Sequence, residues 1–446
     1  MKHTRHPNIL ILLVSLLMLA LPLSSRAQFN YTTNNGAITI TGFTGSGGNV
    51  TIPSTINGYP VTAIGDFAFE NTALYGVTIP DGVVSIGTAA FYYCYAMSNA
   101  AIPASVTNIG AQAFCACPVL WNIAVDPANP SYASAGGVLF NKTLTTLIQF
   151  PQGNLAGSYV ISNSVTSIGD DAFLNCNRLT NVTLGNSITN IGNEAFKYCN
   201  GLTTMAIPDS VAIIGNQAFY GCSGLTNLTI GNHVTSIGDE AFSSCSSLTS
   251  LKMGNSVAQI GASAFEACSH LKNLTTLYSV INIGDAAFRF CSGLTNVMFG
   301  TSLTSLGNEA FRYCTSLHQV YFQGNAPSVD GLPGSGNSTL FSGESGKVYY
   351  LPGTLGWGAN FGGFSTAFWY QPQPQILGSG YGSGTSSNGF QFTISWATNT
   401  SVVVQASTNL QDWTPIITNS LVNGTNGFSD SNWTNYPQRF YRARSQ

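Results

Sequence analysis

Charge is what this sequence has least of. Asp, Glu, Lys and Arg make up 7% of the 446 residues, against roughly 25% in an average soluble protein. The 14 basic and 17 acidic residues leave a net charge of −3, and no basic stripe gathers anywhere. That excludes electrostatic capture of nucleic acid and makes an anionic membrane surface a poor partner. Histidine is scarce too: beyond the N-terminal segment only His233, His270 and His318 remain. Long apolar runs are confined to Ile9–Leu23, broken by Ser15 and Pro22. The run is shorter than the ~20 residues a spanning helix needs. Lys2 and Arg5 precede it and Ser25-Arg26-Ala27 follows, the pattern of a secretory signal over 1–27 cleaved after Ala27. The mature chain is therefore expected to lie outside the cytoplasm, secreted, periplasmic or at the cell surface, with no transmembrane anchor. Its solubility must come from Ser, Thr, Asn and Gly.

What is present is a repeat. Ile-Gly recurs at 64, 86, 109, 168, 191, 214, 237, 260 and 283, with Leu306-Gly307 as the last copy, and from Ile168 to Leu306 every step is 23 residues. Ala-Phe follows at a fixed offset in all ten copies, and a Cys stands three places after the Phe in nine of them. Thr72 takes that place in the first. Ile191, Gly192, Ala195, Phe196 and Cys199 show the skeleton. Ahead of each Ile runs a Leu-x-x-Val-x-Leu pattern, as at Leu179, Val182 and Leu184, whose alternation is strand spacing. One coil reads as strand, turn, short second strand, then a tight turn into a short helical piece carrying Ala-Phe. A lone coil cannot bury its apolar residues; stacked coils share one core.

The IGxxAFxxC skeleton at this period closely resembles the BspA-like class of bacterial leucine-rich repeats. The opening stretch 38–65 and the interruption at 125–153 support the resemblance, which covers about Ile38 to Tyr370. It implies a right-handed solenoid, mostly β with short helical turns and a sheet on its concave side. It also implies export and binding to proteins or surfaces rather than catalysis.

The domain reading places the solenoid over 28–322. The step from Ile109 to Ile168 is one period plus 36 residues, and Gly137–Phe140 with Thr145–Phe150 suggest a β-hairpin insertion near 125–153. Segment 323–370 reads as a cap over the last coil, using Trp357, Phe361, Phe364, Phe368, Trp369 and Tyr370. A Pro- then Gly/Ser-rich linker spans 371–389. Strand patterns over 390–446 suggest a small sandwich of the fibronectin or immunoglobulin-like kind, with Trp396, Trp413 and Trp433 as its core.

Several residue types could carry chemistry. The cysteines fall at one repeat phase beside the Phe, and the unbroken run from Cys176 to Cys314 has seven members, so at least one finds no partner within it. Reduced, packed thiols are expected; disulfides between neighbouring rungs and a metal site are the alternatives. Cys115 is off phase and reads as exposed and reactive. The pairs Asp170-Asp171, Asn193-Glu194, Asp239-Glu240 and Asn308-Glu309 read as helix N-caps followed by a favourable acid. The three histidines fall at three phases and cannot stack into a ligand set. Neither a G-x-S-x-G elbow nor a phosphate loop is present. No enzyme activity and no cofactor are expected.

The outward strand positions are left. One row runs Asn181, Thr204, Asn227, Ser250, Asn273, Asn296, Gln319; the next runs Thr183, Ala206, Thr229, Lys252, Thr275, Met298, Tyr321. The expected binding face takes Asn227, Thr229, Ser250, Lys252, Asn273, Thr275, Asn296, Met298, His318, Gln319 and Tyr321. Its partner is expected to be a protein or cell-surface ligand, or alternatively a glycan held by this face or by an exposed Trp of the C-terminal module. The protein itself is expected to be a monomer. Arg289-Phe290 and Arg312-Tyr313, on the convex side, read as a minor contact patch or ordinary surface.

Overall fold

The computed structural model describes residues 28–329, 332–333, 339–341, 346–369, 374–377, 384–386, 389–397 and 399–446. The expected signal segment and Tyr370 lie outside the described residues, as does much of the expected linker. Two compact units result, one formed by 1–143 with 149–154, the other by 144–148 with 155–446.

In the second unit each coil contributes two strands. A two-residue strand ends in the Ile of Ile-Gly, as at Asn190–Ile191, Ile213–Ile214 and Ser236–Ile237, and pairs in parallel with its equivalent in the next coil. A longer strand carries the outward rows, as at Asn181–Thr183, Thr204–Ala206, Asn227–Thr229 and Ser250–Lys252, also parallel and in register. Val182, Met205 and Leu228 point inward and are buried, while their neighbours on both sides are exposed.

The expected helical piece is a run of turns instead. Among the described residues the one helical element is a 3₁₀ turn at Trp433–Asn435. Between Gly192 and Cys199 alternate amides reach the next coil: Glu194 N–H donates to Asn216 O (2.9 Å), Phe196 to Ala218 O (2.6 Å) and Tyr198 to Tyr220 O (2.8 Å). The amides between them close tight turns, Lys197 on Glu194 O and Cys199 on Phe196 O. Glu194 and Tyr198 take left-handed φ values of 55° and 59°. The reason is spacing. Successive coils lie about 5 Å apart, whereas a helix is about 10 Å across. Turns that bond to the neighbouring coil fit that pitch.

The acidic pairs are corrected with the helix. No cap exists to form. The first residues of three pairs accept from the next coil's backbone, as does the equivalent Asn216: Asn193 N–H donates to Asp170 Oδ1 (2.7 Å), Asn216 to Asn193 (2.9 Å), Asp239 to Asn216 (2.9 Å) and Ala262 to Asp239 (2.8 Å). Asn308 Oδ1 accepts from the Thr339 hydroxyl (2.7 Å). The second residue (Asp171, Glu194, Glu240, Glu309) occupies the left-handed position.

Inside, the repeat phenylalanines form a stack. From Phe173 to Phe311 successive ring centroids lie 4.6, 4.9, 5.0, 5.2, 5.3 and 5.2 Å apart, with planes within 10° of parallel. Beside it run the cysteines. All ten remain thiols and all are buried. Each of Cys199, Cys222, Cys245, Cys268, Cys291 and Cys314 donates its S–H to the Phe carbonyl one coil back, at 3.0–3.3 Å. Cys115, expected to be exposed, is buried against the Gln149 side chain at 3.0 Å. Strand 146–149 brings that amide under the coil, which spacing alone did not show.

The first unit repeats the plan behind an antiparallel hairpin, Phe29–Asn34 with Ala37–Phe43, turning at Asn35-Gly36. Its Phe29 and Phe43 rings cover Phe69, the first ring of the repeat stack. Thr72, in the first Cys slot, contacts Cys94 Sγ at 3.3 Å. The insertion forms a hairpin of Tyr132–Ala135 with Val138–Asn141, turning at Gly136-Gly137, so it begins a strand earlier than the glycines suggested.

The solenoid pattern also continues beyond Phe322. Lys347–Tyr350 pairs in parallel with Gln319–Phe322, and Phe364–Phe368 with Lys347–Tyr350; Asn360–Phe361 closes the edge antiparallel. Trp357 and Phe361 pack on Phe322, and Phe364 on Phe341, which contacts Phe311. Phe368 is 43% exposed and Trp369 turns to Tyr321, so these two do not cover the core.

The C-terminal segment folds as two small antiparallel sheets. Gly389–Ser395 pairs with Gln375–Leu377, Gly384–Ser386 and Thr425–Asp430; Thr400–Ser407 pairs with Thr414–Leu421 and Phe440–Ser445. Phe392, Ile394, Val402, Val404, Leu421 and Phe428 form its core, with Trp396 packed against it. Trp413 and Trp433 are not core residues. Trp413 stands before its strand, under the Arg442 guanidinium at 4.4 Å, and Trp433 lies beside Phe390. Ser395 Oγ donates to Pro352 O (2.5 Å), tying the segment to the loop after Tyr350.

Candidate functional site

The long-strand sheet of the second unit presents the expected face. Asn227 and Ser250 are in register, as are Thr229 and Lys252, and all four are exposed. Further on, Asn273, Asn296 and Gln319 share one row and Met298 and Tyr321 another. His318 is exposed on the residue before its strand. The side chain of Thr275 lies outside those described.

The two rows are not continuous. Ser250–Lys252 and Asn273–Leu277 belong to different sheets. Leu274 pairs with Val297 and Leu277 with Phe299, so Thr275-Thr276 opposes the single residue Met298. This is a bulge. It puts Leu277 in the buried place that Met253 fills one coil earlier. The face therefore divides into two patches.

The first patch is a shallow hollow of about 320 Å³ on the strands around Thr204–Ala206. Ala206 is its floor, between Thr183 and Thr229; Asn181, Thr204 and Asn227 form one side. Beside it a row of threonine hydroxyls is spoken for: Thr203, Thr226 and Thr249 each donate to the carbonyl one coil back at 3.0–3.1 Å.

The second patch is aromatic. Tyr321 stacks on Tyr349 (5.1 Å, 15° between planes) and meets Trp369 at 4.8 Å. Its hydroxyl donates to Gln319 Oε1 (3.0 Å), and burial raises its pKa, with Tyr349 adding to the effect. Tyr278, 51% exposed, points its hydroxyl at Met298 Sδ (3.6 Å). Tyr349, Lys347 and Trp369 were not in the expected site. The signal was present: KVYY at 347–350 repeats the pattern of QVYF at 319–322. Lys252 and Lys347 are the charges on these strands, and no acid lies on the described long strands of this unit.

The other candidates do not converge. His233 Nδ1 lies 3.0 Å from Asp209 O and His270 Nδ1 2.6 Å from Ser246 O, on separate coils. Among the described residues no group of three His, Cys, Asp or Glu is placed to hold a metal, and no helix is long and apolar enough to cross a membrane. Five of the buried thiols are held in the protonated, unreactive form. Burial pushes the Cys199 pKa up to about 12 and raises those of Cys222, Cys245, Cys268 and Cys291 well above the ordinary value. On the turn side Arg289 pairs with Glu266 (2.6 Å) and Glu309 (3.1 Å), Arg312 pairs with Glu309, and Phe290 stacks on Tyr313 (4.8 Å). In that patch the charges pair with one another.

Parallel coils of 23 residues, with short strands on one side and a variable strand face on another, define a leucine-rich-repeat solenoid. The profile of the BspA type leucine rich repeat region matches residues 44–156, 150–257 and 235–331. The chain belongs to this family. Among solved structures it is similar to a leucine rich cell surface protein from Faecalibacterium prausnitzii A2-165 (25% identity over 67% of this chain and 94% of that one, TM-score 0.38). A leucine-rich repeat protein from Eubacterium ventriosum matches at 21% identity over 60% and 94% of the two chains (TM-score 0.47). One from Bacteroides ovatus matches at 26% over 66% and 92% (TM-score 0.31). No curated protein matches the chain.

Proposed function

We propose that this chain is an exported, non-catalytic binding protein that contacts a protein or cell-surface ligand through the long-strand face of its second unit. One observation carries the reading. The exposed residues of that face vary from coil to coil, and they end in an aromatic patch of Tyr321, Tyr349 and Trp369. Aromatic side chains are over-represented among the residues that dominate interface energies. The uncharged amide and hydroxyl rows supply hydrogen bonds without the desolvation cost of ions. A glycan held by an exposed tryptophan of the C-terminal segment has less support, because Trp413 is half-buried under Arg442.

The test is binding of the labelled mature chain to intact and protease-treated cell surfaces. Protease treatment should abolish binding, and Tyr321→Ala and Lys252→Glu should each reduce it about tenfold, the scale of a lost interface anchor. Binding indifferent to both substitutions removes this face from consideration.

A further inference from the structure

The first unit carries a second feature, on different coils. Tyr75 and Trp121 are 61% and 54% exposed, the most exposed Tyr and Trp among the described residues. They occupy equivalent places two coils apart, and Ser98 holds that place in the coil between. The backbone fixes the alignment: Ser98 N–H donates to Tyr75 O (3.2 Å) and Trp121 N–H to Ser98 O (2.9 Å). Neither ring has a ring partner among the described residues. Two rungs of about 4.8 Å set the side chains roughly 10 Å apart at their roots. A flat ring held between two others needs roughly 7–8 Å, two contacts of about 3.5–4 Å each. Modest tilting of either ring makes up the difference.

The floor and the flank are polar and uncharged. Ser98 lies between the rings, and its hydroxyl accepts from Asn99 Nδ2 (3.0 Å). Asn99 and Asn122 are in register on adjacent strands, and neither is buried. In the same row Gly76 removes a side chain next to Tyr75, leaving the nearest obstacle to an added carbon the Asn49 side chain at 3.3 Å. The strands Gly48–Thr51, Leu74–Thr78, Asn99–Ile102 and Asn122–Val125 contain no Asp, Glu, Lys or Arg.

We infer that Tyr75 and Trp121 form a clamp for one sugar ring of a neutral polysaccharide, with Ser98, Asn99 and Asn122 bonding to its hydroxyls. The negative ring faces attract the C–H faces of a pyranose, and the amides match neutral hydroxyls. Without charge on these strands, an ionic ligand would be desolvated with no counter-charge to repay it. The site is independent of the face proposed for the second unit.

Affinity electrophoresis of the mature chain, in gels holding a soluble glucan, mannan, xylan or galactan or the anionic polygalacturonate, tests it. At least one neutral polysaccharide should retard the protein. Tyr75→Ala and Trp121→Ala should each weaken that retardation about tenfold, the scale of one lost ring contact in a two-ring clamp. Tyr75→Phe and Trp121→Phe keep a ring and should keep most of the binding, which separates stacking from a folding defect. Tyr321→Ala should leave the retardation unchanged, so this site and the second-unit face fail or stand separately. The inference is overturned if no neutral polysaccharide retards the wild type. Retardation by polygalacturonate alone, alanine variants that bind like wild type, or Phe variants as weak as the alanine ones would also overturn it.

Discussion

The turn side and the long-strand side of one coil obey different rules. On the turn side nearly every polar atom near the backbone is used by the neighbouring coil. Asp170 accepts from Asn193, the Cys199 thiol donates to Phe173, and Phe196 N–H donates to Ala218. A substitution of the Gly, Ala, Phe or Cys there breaks a contact that the next coil repeats, and those letters recur from coil to coil. On the long strands themselves, as at Thr204–Ala206 and Asn227–Thr229, the coil-to-coil ladder is made by the backbone. Thr204, Ala206 and Lys252 are exposed and interchangeable as far as stacking goes. What varies there is free to serve a ligand.

The sharpest way to break this contrast is to open the core on the turn side. Phe219→Ala removes a ring stacked on both sides and should cost about 3–5 kcal/mol, read as a large drop in thermal or urea midpoint. Next comes Gly192→Ala. Its added carbon would stand 2.5 Å from Asp170 Oδ1 and 2.7 Å from the Asp170 amide, so two coils must part. Overpacking of this kind costs about 1–3 kcal/mol. A midpoint within error of wild type for either variant would mean that coils tolerate independent distortion.

The thiols give a third test, with a defined sign. The folded-state pKa values of Cys199, Cys222, Cys245, Cys268 and Cys291 lie above the ordinary thiol value of 9.0, at about 12 for Cys199, because burial disfavours the thiolate. The protonated form is therefore the one the fold holds. Its contribution is fully present below pH 9 and is lost as pH rises through about 12. Stability should fall steeply over that window. A thiol reagent at neutral pH should leave the native protein unlabelled and label all ten cysteines once it is unfolded. Rapid native labelling of Cys115 would contradict its burial.

Smaller effects should mark the exposed hydrogen-bond row. Asn193→Ala orphans the Asn216 amide, but water can reach the site, so the loss should be about 0.5–1 kcal/mol. Smallest of all, Lys252→Ser on the long-strand face should change stability by less than about 0.5 kcal/mol. A large destabilisation there would show that the face also carries structure.

Much of this was legible in the sequence. A fixed period with Phe and Cys at one phase compels a stack, because only stacking buries those side chains together. The outward rows followed from strand alternation, and the thirteen of their residues with described side chains stand where alternation put them. The turn conformation was not legible. Asn193-Glu194 has the composition of a helix start, and only the roughly 5 Å pitch between coils excludes the helix. The N-terminal hairpin had a readable signal in Asn35-Gly36 between alternating residues, which the repeat overshadowed. The core of the C-terminal segment was misjudged for a different reason. Tryptophan size suggests burial, but position along the strand decides it, and Trp413 precedes its strand.

Periodicity by itself determined that this protein is a solenoid, which residues face inward, and that the thiols line up. These are consequences of repeating one pattern under the hydrophobic effect. Tertiary structure alone decided where the pattern slips. The bulge at Thr275-Thr276 divides the face, and Lys347–Tyr350, off the 23-residue step, adds Tyr349 to it. Such features depend on which residues meet across coils, and sequence order does not encode that until the register between coils is set.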